Sequence, residues 1–377
     1  MRITRAVLLF CSTLVALNLS AQPPQRLPII FGDEVISVLI EADGTVKSWG
    51  DPWALDTSPS LGDGKKPGPN TGSKEPRALP GLTGIVGGDA GATHVLLLKK
   101  DGTVLAWGDN DLCEVGSKET RSTYAPVAVP GLHGVKQVFA GYRESAALLE
   151  DGTVRMWGYM KNGPLNDDCV RTPTALPGVS AVTKVSMDTN AKLLLLNDGT
   201  VMGWGRNENG ELCDGTTEKR TTPVLLKGLT GVVDLVSGDG TFFLLSNGTV
   251  KTCGKGPDGT LTMTKHLTPF QVPGITNARS IRTGNGAFFV TLADGTLRGW
   301  GNGYHGALGD GFGDRDKSRP HPPIGLGPVV AHYLSGGVSY AIRKDGTVLT
   351  WGQIAPPGGK TEFYLTPSPF FIVKLAE

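Results

Sequence analysis

The string "DGTVKSWG", beginning at Asp43, recurs in register along the whole chain. Asp-Gly-Thr starts at Asp43, Asp101, Asp151, Asp198, Asp294 and Asp345, and Asn247-Gly248-Thr249 fills the gap between the fourth and fifth of these. The starts lie 47 to 58 residues apart. Six residues after each stands Trp49, Trp107, Trp157, Trp204, Trp300 or Trp351, with Cys253 as the exception, and a Gly follows every time. A second marker keeps the same count: Pro76, Pro126, Pro173, Pro223, Pro269, Pro323 and Pro369 each precede an aliphatic residue by three positions, as in "PRALPGL" and "PVAVPGL". Self-similarity at this period marks a repeat architecture. The two average domains that length alone would suggest therefore give way to one array of seven units.

Within a unit, a short apolar run precedes the turn: "HVLLLKKDG", "KLLLLNDG", "TFFLLSNG". Continuous apolar character over so few residues fits a strand covered on both faces. Asp-Gly or Asn-Gly then makes a tight hairpin with positive φ angles. The returning strand carries the Trp, with Lys47, Leu105, Arg155, Met202, Lys251, Arg298 or Leu349 two positions before it. Adding the Pro-marked strand and a shorter one around Val86, Val138, Val185, Val236 or Ile281 gives four strands per unit, the content of a propeller blade. The expected fold is an all-β, seven-bladed propeller of four-stranded blades. One small sheet cannot cover both its apolar faces, so each blade relies on its neighbours and a closed ring leaves no bare end. "PSPFFIVKLAE" at the end carries a Pro-marked strand without a following hairpin, and "RLPIIFGDEVISVLIEADG" near the start supplies a hairpin without a preceding one. The two ends are expected to pair into one blade and close the ring.

At these residues the chain resembles the regulator-of-chromosome-condensation repeat family of seven-bladed propellers. The pattern of Gly, His, apolar run, Asp-Gly, Trp-Gly and an "Asn-x-x-Gly-x-Leu-Gly" loop is matched by "GATHVLLLKKDGTVLAWGDNDLCEVG" (Gly91 to Gly116), "WGRNENGELCDG" (Trp204 to Gly215) and "WGNGYHGALGDG" (Trp300 to Gly311). The family His stands only at His94, with Glu144, Ala191, Gly240, Ala287 and Val338 in the corresponding places. The resemblance implies the fold and a protein-binding role; its members include nuclear nucleotide-exchange factors for a small GTPase, secreted inhibitors that press one face onto a bacterial enzyme, and binding platforms.

Arg2 and Arg5 precede the apolar run Ala6 to Leu17, which is too short to span a bilayer and ends near the small-residue site Leu19-Ser20-Ala21. This reads as a secretory signal peptide over residues 1–21, followed by one domain over 22–377; a buried first helix is the alternative. Export to the periplasm or the medium is expected, without later membrane insertion. Lys+Arg 36 against Asp+Glu 35 gives a nearly neutral chain. Nothing in that balance points to nucleic acid.

No nucleophile or metalloprotease motif occurs. His94, His133, His266, His305, His321 and His332 fall at different repeat phases with no metal-ligand spacing. Asp310, Asp314 and Asp316 in "GDGFGDRD" could face a calcium ion or simply solvate a turn, since the closing Glu of a calcium loop is missing. No cofactor or metal site is expected. Cys113 and Cys213 read as one repeat position, with Cys169 near the equivalent phase of a shortened blade. Export permits disulfides, so either Cys169 bridges one of these neighbours or all three are free half-buried thiols. Cys253, in a Trp place, is expected to be buried and unpaired.

Binding residues are sought in loops, which vary while blades carry the core. Trp53 lies outside the repeat pattern in the long polar loop Asp51 to Glu75 and serves either as an aromatic anchor or as a seal on the rim. Tyr142 and Arg143 in the third blade, with Tyr304, His305, Phe312 and Arg315 in the sixth, are further candidates. The chain is expected to be a monomeric, non-enzymatic protein-binding scaffold with an unidentified protein partner. The competing class is a hydrolase or carbohydrate binder using the central channel, which would need ionisable groups converging there.

Overall fold

The computed structural model describes residues 27–32, 36–52, 60–68, 71–118, 121–161, 163–238, 240–255, 265–315, 317–354, 362–373 and 375. The leader at 1–21, Trp53 and Asp316 lie outside the described residues. Seven four-stranded antiparallel sheets follow one another. Blades 1 to 7 span residues 29–78, 85–128, 135–175, 182–225, 232–271, 278–321 and 331–372. Blade 2 shows the plan, with strands Ile85–Ala90, His94–Lys99, Val104–Gly108 and Thr123–Ala128 from hub to rim. The second strand is the apolar run, and Val95, Leu96 and Leu97 are fully buried. Both its faces are covered because blades stack flat against each other.

The hairpins owe their shape to an Asx contact as much as to the Gly. Thr103 donates its N–H and Oγ–H to Asp101 Oδ1 at 3.0 and 2.6 Å, and Thr249 donates both likewise to Asn247 Oδ1. Only the Gly takes positive φ, at +78° in Gly102, so this is a turn followed by a left-handed Gly and not a pair of left-handed residues. The Pro-marked strand is the outermost. Its free edge asks no N–H of Pro76, Pro126 or Pro173, and its pairing with the third strand slips by a bulge there in each of those blades.

Antiparallel order puts all Asp-Gly hairpins at one end of the ring. The turns between first and second strands and the loops between third and fourth lie at the other, the loop face. At that face Trp107, Trp157 and Trp351 each reach the preceding blade. Trp107 Nε1 donates to Ser60 O at 2.8 Å, Trp157 Nε1 to Glu114 O at 2.8 Å and Trp351 Nε1 to Ala307 O at 3.1 Å. Two residues past each of these carbonyls stands Gly62, Gly116 or Gly309, all with positive φ. A Cβ on Gly116 would come to 2.5 Å from Trp157 Nε1, so the Trp and the facing Gly require each other.

The ring closes differently from the sequence expectation. No sheet mixes the two chain ends; blades 1 and 7 are each built from one continuous segment. The Pro-marked strand completes the blade before it, so no half-blade is left over. Closure is by packing. Trp49 of blade 1 donates to Tyr340 Oη of blade 7 at 3.3 Å and meets the Phe371 ring edge-on at 5.7 Å, while Tyr333 Oη donates to Pro28 O at 2.7 Å.

Two cysteine expectations fail, the unpaired state of Cys253 and the shared repeat position of Cys113 and Cys213. Cys113 is bonded to Cys169, joining blades 2 and 3 with Cα atoms 5.3 Å apart, and Cys213 is bonded to Cys253, joining blades 4 and 5 at 5.5 Å. Cys253 is therefore paired. Nor do Cys113 and Cys213 share a repeat position. Asn110 Oδ1 accepts from Val115 N and Asn207 Oδ1 from Leu212 N, which aligns Cys113 with Gly210 and Cys213 with Gly116. The similar strings NDLCEVG and NGELCDG hid this; counted from the Trp, Cys113 stands at the sixth position and Cys213 at the ninth, as Gly116 does. Cys213 thus stands in the Gly place, and its partner stands in the Trp place. The small sulfur of Cys253 leaves the room a side chain at 213 needs, and a covalent bond replaces the Trp hydrogen bond.

Two outcomes are expected. Cys213→Gly with Cys253→Trp should rebuild the common corner, and thermal unfolding should show it more stable than Cys253→Trp alone by about 1–3 kcal/mol, the cost of overpacking. Truncation before Phe370 removes the cover from Trp49 and should cost on the order of 5 kcal/mol, well beyond deletion of an equal length of loop, as read by denaturant unfolding.

Candidate functional site

The hub is lined by the first strands, and it holds ionisable groups that sequence alone did not place there. Lys184 of blade 4 pairs with Asp234 of blade 5, and Arg282 of blade 6 reaches the same carboxylate at 3.7 Å. Asp89 is half-buried; its Oδ1 accepts from Ala90 N at 3.0 Å and its Oδ2 from Ala140 N of the next blade at 2.9 Å. Burial pushes its carboxyl up to about 7 against the pull of those two N–H groups. Ser186, at the same strand position in blade 4, accepts from Ser237 N of blade 5 at 2.9 Å. Asp89 and Ser186 do one job, which is to satisfy an inner-strand N–H of the next blade. The hub charges thus tie blades together, around a cavity of about 570 Å³.

His94, the one residue at the family His place, is likewise internal. Its Nε2 lies 2.7 Å from Ser145 Oγ, which donates to Glu114 O at 2.7 Å. Burial holds its imidazole down at about 4. One blade on, Glu144 occupies the His place and pairs with Lys192, in the Ser145 place, at 2.9 Å. A charged pair has replaced a neutral one at the same junction. His332 is buried against Trp351 and Phe289, whereas His266 stacks on Phe270 at 4.2 Å. Asp310 is buried beside Lys317 and His321, both at 3.4 Å, and Asp314 is exposed beside Arg315 at 3.8 Å. Among the described residues no three His, Cys, Asp or Glu side chains gather as metal ligands.

The loop face carries the remaining candidates in two groups. Tyr142 and Arg143, in the first turn of blade 3, border a cavity of about 510 Å³ between blades 3 and 4. Arg143 lies 5.7 Å from the Tyr142 ring centroid. Tyr304 and His305 border a second cavity of about 700 Å³ at the mouth of the hub, together with Asn285, Asn302, Thr283 and Gln353. His305 stacks on Phe363 of blade 7 at 4.8 Å and holds a left-handed φ of +59°. Phe312 and Arg315 do not border that cavity; they stack on each other at 3.7 Å, with Lys317 Nζ 4.8 Å from the same ring. Phe363 escaped the sequence reading because it begins an ordinary Pro-marked strand. Trp204, Arg206 and Lys219 on the 510 Å³ cavity escaped because nothing marks which Trp a neighbouring loop fails to cover.

The linkage is testable at Asp89. A carboxyl raised above its unfolded value of 3.8 stabilises fully below that value, and the contribution is lost as pH rises through about 7. His94 runs the other way, its contribution being lost as pH falls from 6.5 toward about 4. Subtracting wild type from Asp89→Ser isolates the first slope. The variant should gain about 2 kcal/mol relative to wild type between pH 5 and pH 8, measured by denaturant unfolding.

Comparison with known proteins agrees with the geometry. The regulator of chromosome condensation (RCC1) repeat is matched at residues 101–148 and 198–245, and a second model of the same repeat at 85–112 and 135–163. These stretches run from the hub strand of blade 2 into blade 5. Prp20p from Saccharomyces cerevisiae, described with its binding to Gsp1p and histones, is similar at a TM-score of 0.72 and 20% identity, over 82% of this chain and 83% of that one. Yeast RCC1 (Prp20) in complex with Kap60 gives 0.73 and 20% over 92% and 84%. Human WBSCR16 gives 0.71 and 23% over 84% and 86%. The shared property at these identities is the propeller fold.

Proposed function

We propose that this chain is an exported protein-binding scaffold that captures its partner on the loop face. The observation that carries this reading is the placement of exposed aromatic rings. Tyr142, Tyr304, Phe312 and Phe363 are 42% to 52% exposed, and all four belong to turns, loops or strand starts at that end of the ring. Blade packing does not need them there, whereas exposed rings beside Arg and Lys are what protein interfaces use as anchors. At the hub, Lys184, Asp234 and Asp89 are already engaged in bonds between blades, which favours binding over catalysis. The binding recorded for yeast Prp20p supports the class of function, and its partners are not carried over.

Export rests on the leader-like residues 1–21 and is supported by two disulfides, a rare feature of reducing compartments. Trp53, which lies outside the described residues, joins the proposed anchors on its sequence context alone. The resemblance to secreted enzyme inhibitors makes an extracellular or periplasmic enzyme a suitable partner.

In affinity capture from periplasmic and extracellular extracts of the host, Tyr304→Ala/Phe312→Ala/Phe363→Ala should lose the protein that wild type retains, with an unchanged melting temperature. Leu225→Ala, at the hairpin end of blade 4, should retain it. Equal retention by the triple variant would remove the loop face from consideration.

A further inference from the structure

Trp204 breaks the rule of the ring. The other described Trp indoles that reach a neighbouring blade donate to Ser60 O, Glu114 O, Ala307 O or Tyr340 Oη. Trp204 is only 3% exposed, yet its indole N–H has no acceptor among the described residues. The cause is the corner of blade 3. Only residues 159–169 separate its third and fourth strands, against 109–122 in blade 2 and 206–219 in blade 4. The far end of the short loop, Cys169, is bonded back to Cys113 of blade 2, on the side away from Trp204. In place of the missing carbonyl lies the 510 Å³ cavity, with Trp204 in its wall. On the loop, a Cβ at Gly163 would lie 4.0 Å from Trp204 Nε1.

The rim of this cavity is cationic. Arg206 and Lys219 border it without an acidic partner among the described residues, and Arg143 borders it within reach of the Glu114 carboxylate of blade 2. Lys192 is spent on Glu144, the one carboxylate in the wall, and Lys161 lies 3.4 Å from Asp168 at the surface. The chain as a whole has a formal net charge of +1, so this is a local concentration of positive charge and not a general one. An indole N–H that opens on a cavity is a directional donor that favours an acceptor, and a carboxylate would meet it with charge as well as geometry. The Tyr142 ring, 49% exposed at the edge, offers apolar contact for the chain behind that carboxylate.

We infer that this cavity between blades 3 and 4 is a binding pocket for a flexible acidic segment of a protein partner, with one Asp or Glu carboxylate taking the acceptor place at Trp204 Nε1. Arg143, Arg206 and Lys219 draw the segment in and hold its remaining charge. This rests on the reading of the loop face as a protein-binding surface and adds the chemistry of what it binds.

The test is fluorescence anisotropy of labelled hexaglutamate on the purified chain, with labelled hexaglutamine and a thymidine hexanucleotide as parallel probes. Hexaglutamate should bind with an affinity that falls as salt rises, and hexaglutamine should not. Trp204→Phe, which keeps the packing and removes the donor, should weaken hexaglutamate about tenfold, the effect of one charge-assisted hydrogen bond. Arg206→Glu/Lys219→Glu, on exposed positions, should abolish binding. Should Trp204→Phe unfold, Gly163→Leu covers the same donor and should give the same loss. Equal affinity in the donor-blocked variants, equal binding of hexaglutamine, or tighter binding of the oligonucleotide would each overturn the pocket. If hexaglutamate fails while the triple aromatic variant still loses its captured protein, the pocket falls and the loop-face reading stands.

Discussion

The ring depends on one junction, repeated with variations: a third-strand side chain of each blade fastened to a loop-face corner of the blade before it. The usual form is an indole N–H on a backbone carbonyl, with a Gly two residues on to admit the ring. Such a corner is buried on all sides, so the carbonyl needs its donor and the indole needs its acceptor. Blade 5 replaces both partners at once, Trp by Cys253 and Gly by Cys213, and the junction becomes covalent. Blade 1 substitutes the Tyr340 hydroxyl. The substitutions come in pairs because a change on one side alone leaves either a clash or an empty space.

A second set of links runs nearer the hub and shows the same interchangeability. His94 with Ser145 and Glu144 with Lys192 span consecutive junctions with different chemistry. Asp89 and Ser186 serve equivalent N–H groups, one with a carboxyl held near neutrality and the other with a hydroxyl. A perturbed carboxylate in a central channel would ordinarily count as a sign of catalysis. Here its place in a repeated structural contact accounts for the perturbation, which is burial beside a neighbouring strand.

Where the pattern of junctions is complete, the structure is explained by stability. The exceptions are therefore informative. Trp204 is buried like its counterparts but lacks the bond they make, and the short, tethered corner of blade 3 leaves a cationic cavity where that bond should be. At the hub mouth, His305 meets Phe363 across the boundary of blades 6 and 7. Both places lie on the loop face, as do the exposed rings. A scaffold that spends its hairpin face on uniform Asx turns and varies the other face divides holding the fold from meeting a partner.

The sequence by itself determined the number of blades, the strands in each and the buried apolar run. These are set by local period, turn chemistry and alternation, which a chain displays in one dimension. It also displayed Tyr142, Arg143, Tyr304, His305, Phe312 and Arg315 as residues without blade duty. Ring closure, the pairing of Cys113 with Cys169 and Cys213 with Cys253, the charges at the hub and the open acceptor place at Trp204 were decided only in three dimensions. Each of them depends on which residue of one blade faces which residue of the next. Cys213 stands at the same distance from its Trp as Gly116 does from Trp107, but that its partner is the Cys in the next blade's Trp place is visible only in the folded corner.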